Sequence, residues 1–360
     1  MPLQADDIAD IVTTTLKDLG RAKLTNLATS VLNFPGFKQL MTKYRQDFQS
    51  GRGIQWNIMN GNSGNARRVG LYDTDSVNVQ DVMTTATAPW RHFVASYAFD
   101  THEEAFNRDG GPNASQVVDL VQRRRDDALT AMPELIEGDI WSAPTSSSNN
   151  DRIFGVPYWI PWYDNSSASP NGAFLTSTQG DPTGFSAGAG GLSTATVTGW
   201  APWAGKYAAV SKVDLLRKVR RAMSLTNFQA PVQMPEYGGA PDHGLYTNYS
   251  VVSAAEELAE AQNDNLGNDL ASKDGVVMIR RTPLTHVATL DSRAGNPVYG
   301  IDWSRMKFVF LSGFVMKDLV KASGTQRHVV NGFIDTTVQP ICYDRRRQFV
   351  LAVSDPTVVS

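Results

Sequence analysis

The chain has 360 residues, a formal net charge of −3 from 33 basic and 36 acidic side chains, and 41% hydrophobic residues, including 8 Trp, 11 Tyr and 15 Phe. That aromatic supply can fill a sizeable core and excludes wholesale disorder. The lack of a basic excess excludes a dedicated duplex-DNA reader, whose affinity rests on phosphate contacts.

In chain order, Ile8, Ile11, Val12, Leu16 and Leu19 recur at helical spacing before Gly20, and a weaker helix is predicted over 36–48 on Phe37, Leu40, Met41, Tyr44 and Phe48. Ile54, Trp56 and Ile58 alternate as in one strand, and Phe93, Ala95, Tyr97 and Phe99 as in another. The polar residues between them are too many for a loop in a compact domain. They fit either a projecting two-stranded arm or a third strand over 65–90. A long helix is predicted over 114–141, with Asn113 and Gln116 as a reciprocal cap and an apolar stripe that includes Leu129, Met132, Leu135, Ile136 and Ile140. Pro133 should bend it or end its first part. Residues 143–205 lose periodicity, and Trp159, Trp162, Tyr163, Trp200 and Trp203 are expected to anchor long loops. Helices follow from Ser211 to about Met223 and over 254–262, the second capped by Ser253 with Glu256. Strands are expected at 276–279, 307–311, 326–341 and 348–353, with Thr282-Pro283 opening a short helix or turn. The class is α+β.

Chemistry-bearing patterns are sparse. His92, His102, His243, His286 and His328 form no HExxH or close pair, and Ala187 to Gly191 lack the lysine and hydroxyl of a phosphate loop. No GxSxG elbow occurs. The expectation is no enzyme, no metal and no cofactor. Cys342 is the single cysteine, which suits a reducing compartment. The acidic start and the lack of an apolar run near the roughly 20 residues that cross a bilayer suggest a soluble chain, unprocessed for export. Three basic clusters stand out: Arg123 to Arg125, the 211–221 segment with Lys212, Arg217, Lys218, Arg220 and Arg221, and Arg345 to Arg347. Each can be solvated surface, a polyanion contact or one half of an intersubunit pairing.

The order of elements resembles the major capsid proteins of tailed double-stranded DNA bacteriophages. The local resemblance is carried by GRGIQWNI, FVASYAFDTHEE and DTTVQPICYDRRRQFVLAVS. The resemblance implies the HK97-like major capsid fold: an N-terminal arm (1–48), an extended E-loop hairpin (49–100), a peripheral domain (101–225 and 325–342) holding the spine helix 114–141, and an axial domain (226–324 and 343–360). It implies self-assembly into hexamers and pentamers that form an icosahedral shell around the phage genome, with the virion as location and the host bacterial cytoplasm as place of assembly. Portal and separate scaffold proteins, an optional decoration protein and non-specific contact with packaged duplex DNA are the implied partners, with no membrane. Ile54, Trp56, Ile58, Arg67, Arg68, Tyr72, Trp90 and Phe93 become the intersubunit ribbon, and Lys212, Arg217, Lys218, Arg220 and Arg221 a DNA-facing or intersubunit surface. A different virion protein, a carbohydrate-binding module or a glycan-processing enzyme are the competing classes. Some members weld an E-loop lysine to a neighbour's asparagine, but no lysine occurs between Lys43 and Lys206, so no such weld is expected.

Overall fold

The computed structural model describes residues 34–61, 65–71, 74, 81–106, 120–147, 151–227, 242–263, 277–322 and 328–358. The expected helix at 5–19, the Asn113/Gln116 cap and Tyr72 lie outside these residues. The first half runs α1 (Pro35–Thr42), β1 (Arg45–Phe48), β2 (Gly53–Met59), β3 (Met83–Pro89), β4 (Arg91–Asp100), α2 (Thr101–Phe106), α3 (Leu120–Ile140) and α4 (Val156–Trp159). The second runs β5 (Ala173–Phe174), β6 (Trp203–Lys206), α5 (Leu215–Thr226), β7 (His243–Thr247), α6 (Tyr249–Asn263), β8 (Met278–Ile279) and β9 (Thr282–His286). It closes with β10 (Val298–Asp302), β11 (Met306–Leu311), β12 (Lys317–Ala322), β13 (Val329–Cys342) and β14 (Phe349–Ala352).

Two sheets share one large core. In the five-stranded sheet, the long β13 pairs with β4 along one edge and with β12 and then β11 along the other, and β1 adds in parallel to β11. Helix α3 lies against β4 and β13, burying Ala128, Met132, Ile136 and Ile140 at helical spacing. The helix runs through Pro133 without ending there. Leu135, expected inside, is exposed, while Glu137 is buried.

The seven-stranded sheet has the order β5-β6-β14-β10-β7-β9-β8. Period-two alternation sorts its residues into two apolar faces. Trp203, Leu245, Val298, Phe349 and Leu351 meet Leu215, Val219 and Ala222 of α5 and Val251 and Ala255 of α6. Ala204, Tyr246, Tyr299, Ile301 and Val350 turn the other way, into the large core. With both faces covered, each large side chain contributes about 1.5–3 kcal/mol by leaving water. Gly300 is required where the Phe349 ring crosses β10, because a Cβ there would lie 2.1 Å from ring carbons.

The two sheets are joined by the turns after β10 and β13. Asp302 and Asp344 each accept a hydrogen bond from the amide two residues on, and Gln348 bonds both the amide and the carbonyl of Asp302. Arg347 faces Asp302 at 2.8 Å, and Arg345 donates to the carbonyls of Trp159 and Gly180. Both arginines are buried. Arg345 and Arg347 therefore form an internal tie rather than a surface for DNA or neighbours, while the partly exposed Arg346 pairs with Asp344 at 3.1 Å.

Other expectations need correction. Only Pro35–Thr42 of the 36–48 segment is helical; Arg45–Phe48 is drawn into a strand by the free edge of β11. The Phe93 to Phe99 strand belongs to the five-stranded sheet, not to the arm. Helix α6 begins at Tyr249, with the Asn248 side chain accepting from the Val251 amide, so Ser253 and Glu256 are interior to it. Thr282 to His286 is a strand after a two-residue hairpin turn. Tyr163 is exposed, whereas Trp159, Trp200 and Trp203 are buried as expected of anchors. Finally, β11 and β12 pair with β13 while β5 and β6 pair into the other sheet, so the divisions expected at 225/226 and 324/325 cut across both sheets.

Candidate functional site

Among the described residues, strands β2 and β3 pair only with each other, in register from Gly53↔Pro89 to Met59↔Met83. Seven residues at about 3.4 Å each give a ribbon about 24 Å long. Its two ends differ in character. At the base, Ile54, Trp56, Ala86 and Ala88 are buried, with Trp56 packed against Trp159 at 6.0 Å between ring centroids. The Thr87 amide donates to the Gly190 carbonyl at 2.8 Å, and Trp90 Nε1 donates to the Gly51 carbonyl at 2.9 Å. Beyond the base the apolar side chains are largely uncovered: Met59 is 52% exposed, Met83 62%, Val69 63% and Leu71 92%.

The expected ribbon residues therefore separate. Ile54, Trp56, Trp90 and Phe93 sit in this subunit's own core, and Phe93 does so from β4. Ile58 is half-buried. Arg67 and Arg68 are exposed, and Arg67 donates to the Thr74 carbonyl at 2.8 Å. Met59, Val69, Leu71 and Met83 were not singled out by their sequence. Their signal is the polar Gly- and Asn-rich context, where isolated apolar residues have no periodic partner.

The α5 cations separate as well. Leu215, Val219 and Ala222 face the sheet, so Arg217, Arg220 and Arg221 project from the opposite side, exposed like Lys212. Lys218 is committed elsewhere: Nζ lies 2.7 Å from Asp214 and donates to the Lys206 carbonyl at 2.7 Å. Burial pushes the Asp214 carboxyl up, but Lys218 and the amides of Ala208 and Ala209 hold it below the usual carboxylate range. Of the other basic cluster, Arg124 pairs with Glu103 and Arg125 with Asp318, both at 2.7 Å.

Glu137, one of the acids the sequence offers for pairing with the basic clusters of a neighbour, is instead buried and ties the N-terminal segment to α3. Glu137 Oε1 accepts from the Gly36 amide at 3.1 Å and Trp141 Nε1 at 2.7 Å, and Oε2 from the Phe37 amide at 2.6 Å. The carboxylate caps α1 from 100 positions away, with Pro35 taking the first helical position, where no amide is needed. Its only signal in the sequence is an acid next to an apolar stripe.

Among the described residues, no group of three His, Cys, Asp or Glu side chains is placed to hold a metal ion. No described helix is long and apolar enough to cross a membrane. No protein-family model and no curated protein sequence matches the chain. Solved structures do. The capsid chain of Cyanophage A-1(L) aligns over 94% of this chain and 97% of its own length, with a TM-score of 0.62 at 14% identity. The capsid of Myoviridae phage XM1 aligns over 94% and 97%, with a TM-score of 0.51 at 8% identity. The SrpI encapsulin of Synechococcus elongatus aligns over 100% and 99%, with a TM-score of 0.50 at 10% identity. Likeness that runs through both chains almost end to end identifies the architecture: the chain has the HK97-like fold found in these phage capsid chains.

Proposed function

We propose that this chain is a major capsid protein that self-assembles into the icosahedral shell enclosing a phage double-stranded DNA genome. The observation that carries the reading is the near end-to-end likeness to the Cyanophage A-1(L) capsid chain. The uncovered apolar ribbon tip supports it, because an isolated ribbon is marginal and needs a neighbour to pack on. In this reading β2 and β3 are the E-loop and α3 is the spine helix. The peripheral domain is α3 with the five-stranded sheet, and the axial domain is the seven-stranded sheet with α5 and α6. The segment up to Phe48 is the N-terminal arm.

Identical copies related by closed symmetry repeat the same contacts until a shell closes. A ribbon that reaches a neighbour lets one fold serve several slightly different environments, while the tied sheets keep the core constant. The role is structural, with no catalytic site. Portal and scaffold proteins, and a decoration protein where one is used, complete the assembly in the host cytoplasm. Expressed protein should sediment as pentamers, hexamers or shells, whereas a single small oligomer at every concentration would contradict the reading. The encapsulin likeness favours a second reading, a shell with other contents. Nuclease-protected duplex DNA inside native particles decides for the first, and its absence for the second.

A further inference from the structure

We infer that Arg217, Arg220, Arg221, Arg280 and Arg281 form one contact stripe for the phosphate backbone of duplex DNA; DNA as the partner rests on the capsid reading, while the stripe does not. The three α5 arginines share the exposed side of the helix, opposite Leu215, Val219 and Ala222. Toward the end of the same helix, Ser224 Oγ accepts from Arg280 Nη1, which fixes the β8–β9 turn beside α5. From Arg217 to Ser224 the helix rises about 10 Å, a distance over which one DNA strand presents about three phosphates at 3.4 Å each.

The turn itself is the second observation. Arg280 and Arg281 are the two central residues of a two-residue hairpin, with φ of 50° and 65°. That geometry calls for Asn-Gly or Gly-Gly, because a side chain crowds the backbone when φ is positive. The chain places two arginines in succession there instead, where backbone preference opposes both. A strained position held by a charged side chain marks a side chain kept for what it contacts. Among the described residues, none of the five arginines has an ion pair with a carboxylate. Cations on one helix face and on the turn bonded to it attract a polyanion, whose phosphates their planar forks match.

The test uses the full chain as free subunits or capsomers, a fluorescently labelled random-sequence duplex and anisotropy at two salt concentrations. Five phosphate contacts should weaken binding about 500-fold between about 50 and 200 mM salt. Replacing Arg280→Asn together with Arg281→Gly suits the turn, so the variant should melt no lower than the parent. It should lose two contacts, cutting that salt ratio by about twelvefold. Arg217→Gln with Arg220→Gln and Arg221→Gln should cut it further. Unchanged affinity and salt dependence in both variants would overturn the inference. So would unchanged DNA binding with lost capsomer formation, which would make the stripe an interface between copies. Shell formation is scored separately by microscopy: a chain that binds DNA through this stripe but never forms capsomers or shells sinks the capsid reading and leaves the stripe standing.

Discussion

Replacing Glu137 should release α1 from α3. In the folded chain its carboxylate serves three buried or half-buried donors: the Gly36 and Phe37 amides and the Trp141 indole. Glu137→Ala removes the acceptor from all three without giving them water. At about 1–2 kcal/mol for each stranded donor, the loss should reach about 3–5 kcal/mol, near the top of the range for a single substitution. Glu137→Gln keeps one oxygen acceptor and the shape, and should cost about 1–2 kcal/mol. Burial pushes the Glu137 carboxyl above its ordinary value of 4.5, and the three donors pull it back without cancelling the shift. A carboxyl whose folded value is raised holds its proton more tightly in the folded state. Its contribution is therefore complete below the unfolded value and is lost as pH rises through the folded one. The parent should lose stability as pH climbs above 4.5 through that window, and Glu137→Gln should lack this component. Chemical denaturation followed by circular dichroism reads the stability, and limited proteolysis between residues 34 and 42 reads the release of α1. An alanine variant within about 1 kcal/mol of the parent, or a glutamine variant as damaged as the alanine one, would refute this account of the tie.

Four other outcomes are expected. Leu71→Asp with Met83→Asp should leave subunit stability within about 0.5 kcal/mol, because both side chains are exposed, yet abolish shells in negative-stain images. Arg347→Met leaves buried Asp302 without its counter-charge and should cost about 3–5 kcal/mol in urea titrations, most of it recovered when Asp302→Asn is added. Cys342 is buried, and burial pushes its thiol well above the usual range, so thiol reagents at mild alkaline pH should label it only after denaturation. Mature particles boiled in denaturant should run as a single band near 39.3 kDa, since no lysine lies between Lys43 and Lys206 to form an isopeptide bond from the ribbon; a heat-resistant ladder would contradict this.

Periodic burial made much of the fold legible. Met132, Ile136 and Ile140 announce α3, and Phe308 with Phe310 announces a buried strand, because one face of each repeats at its own period. The ribbon's first strand was legible from Ile54 and Trp56 for the same reason. Its partner was legible only as the alternative of a strand somewhere in 65–90: Met83 to Pro89 reads as a polar threonine run, and only the pairing with β2, not with a larger sheet, places it. Phe93 to Phe99 alternates just as clearly, but alternation does not say which sheet receives a strand. Arg345 and Arg347 resemble a surface cluster in sequence, since only the fold brings the Trp159 and Gly180 carbonyls and Asp302 to them. For the basic stripe, helical spacing separated Arg217, Arg220 and Arg221 from the apolar side of α5. The Arg280-Arg281 turn was hidden, because the hairpin runs against the local turn preference. The exposed Leu71 and Val69 carry no pattern at all, because side chains that pack on nothing periodic in their own chain have no spacing to follow.

The central claim is that the ribbon tip packs on a second copy within a closed shell. A reconstruction of particles assembled from the full-length chain tests it most directly. It should show an icosahedral shell in which Met59, Val69, Leu71 and Met83 of each copy are covered by an adjacent subunit. A closed shell with those four side chains in solvent, or no shell from correctly folded protein, would contradict the account.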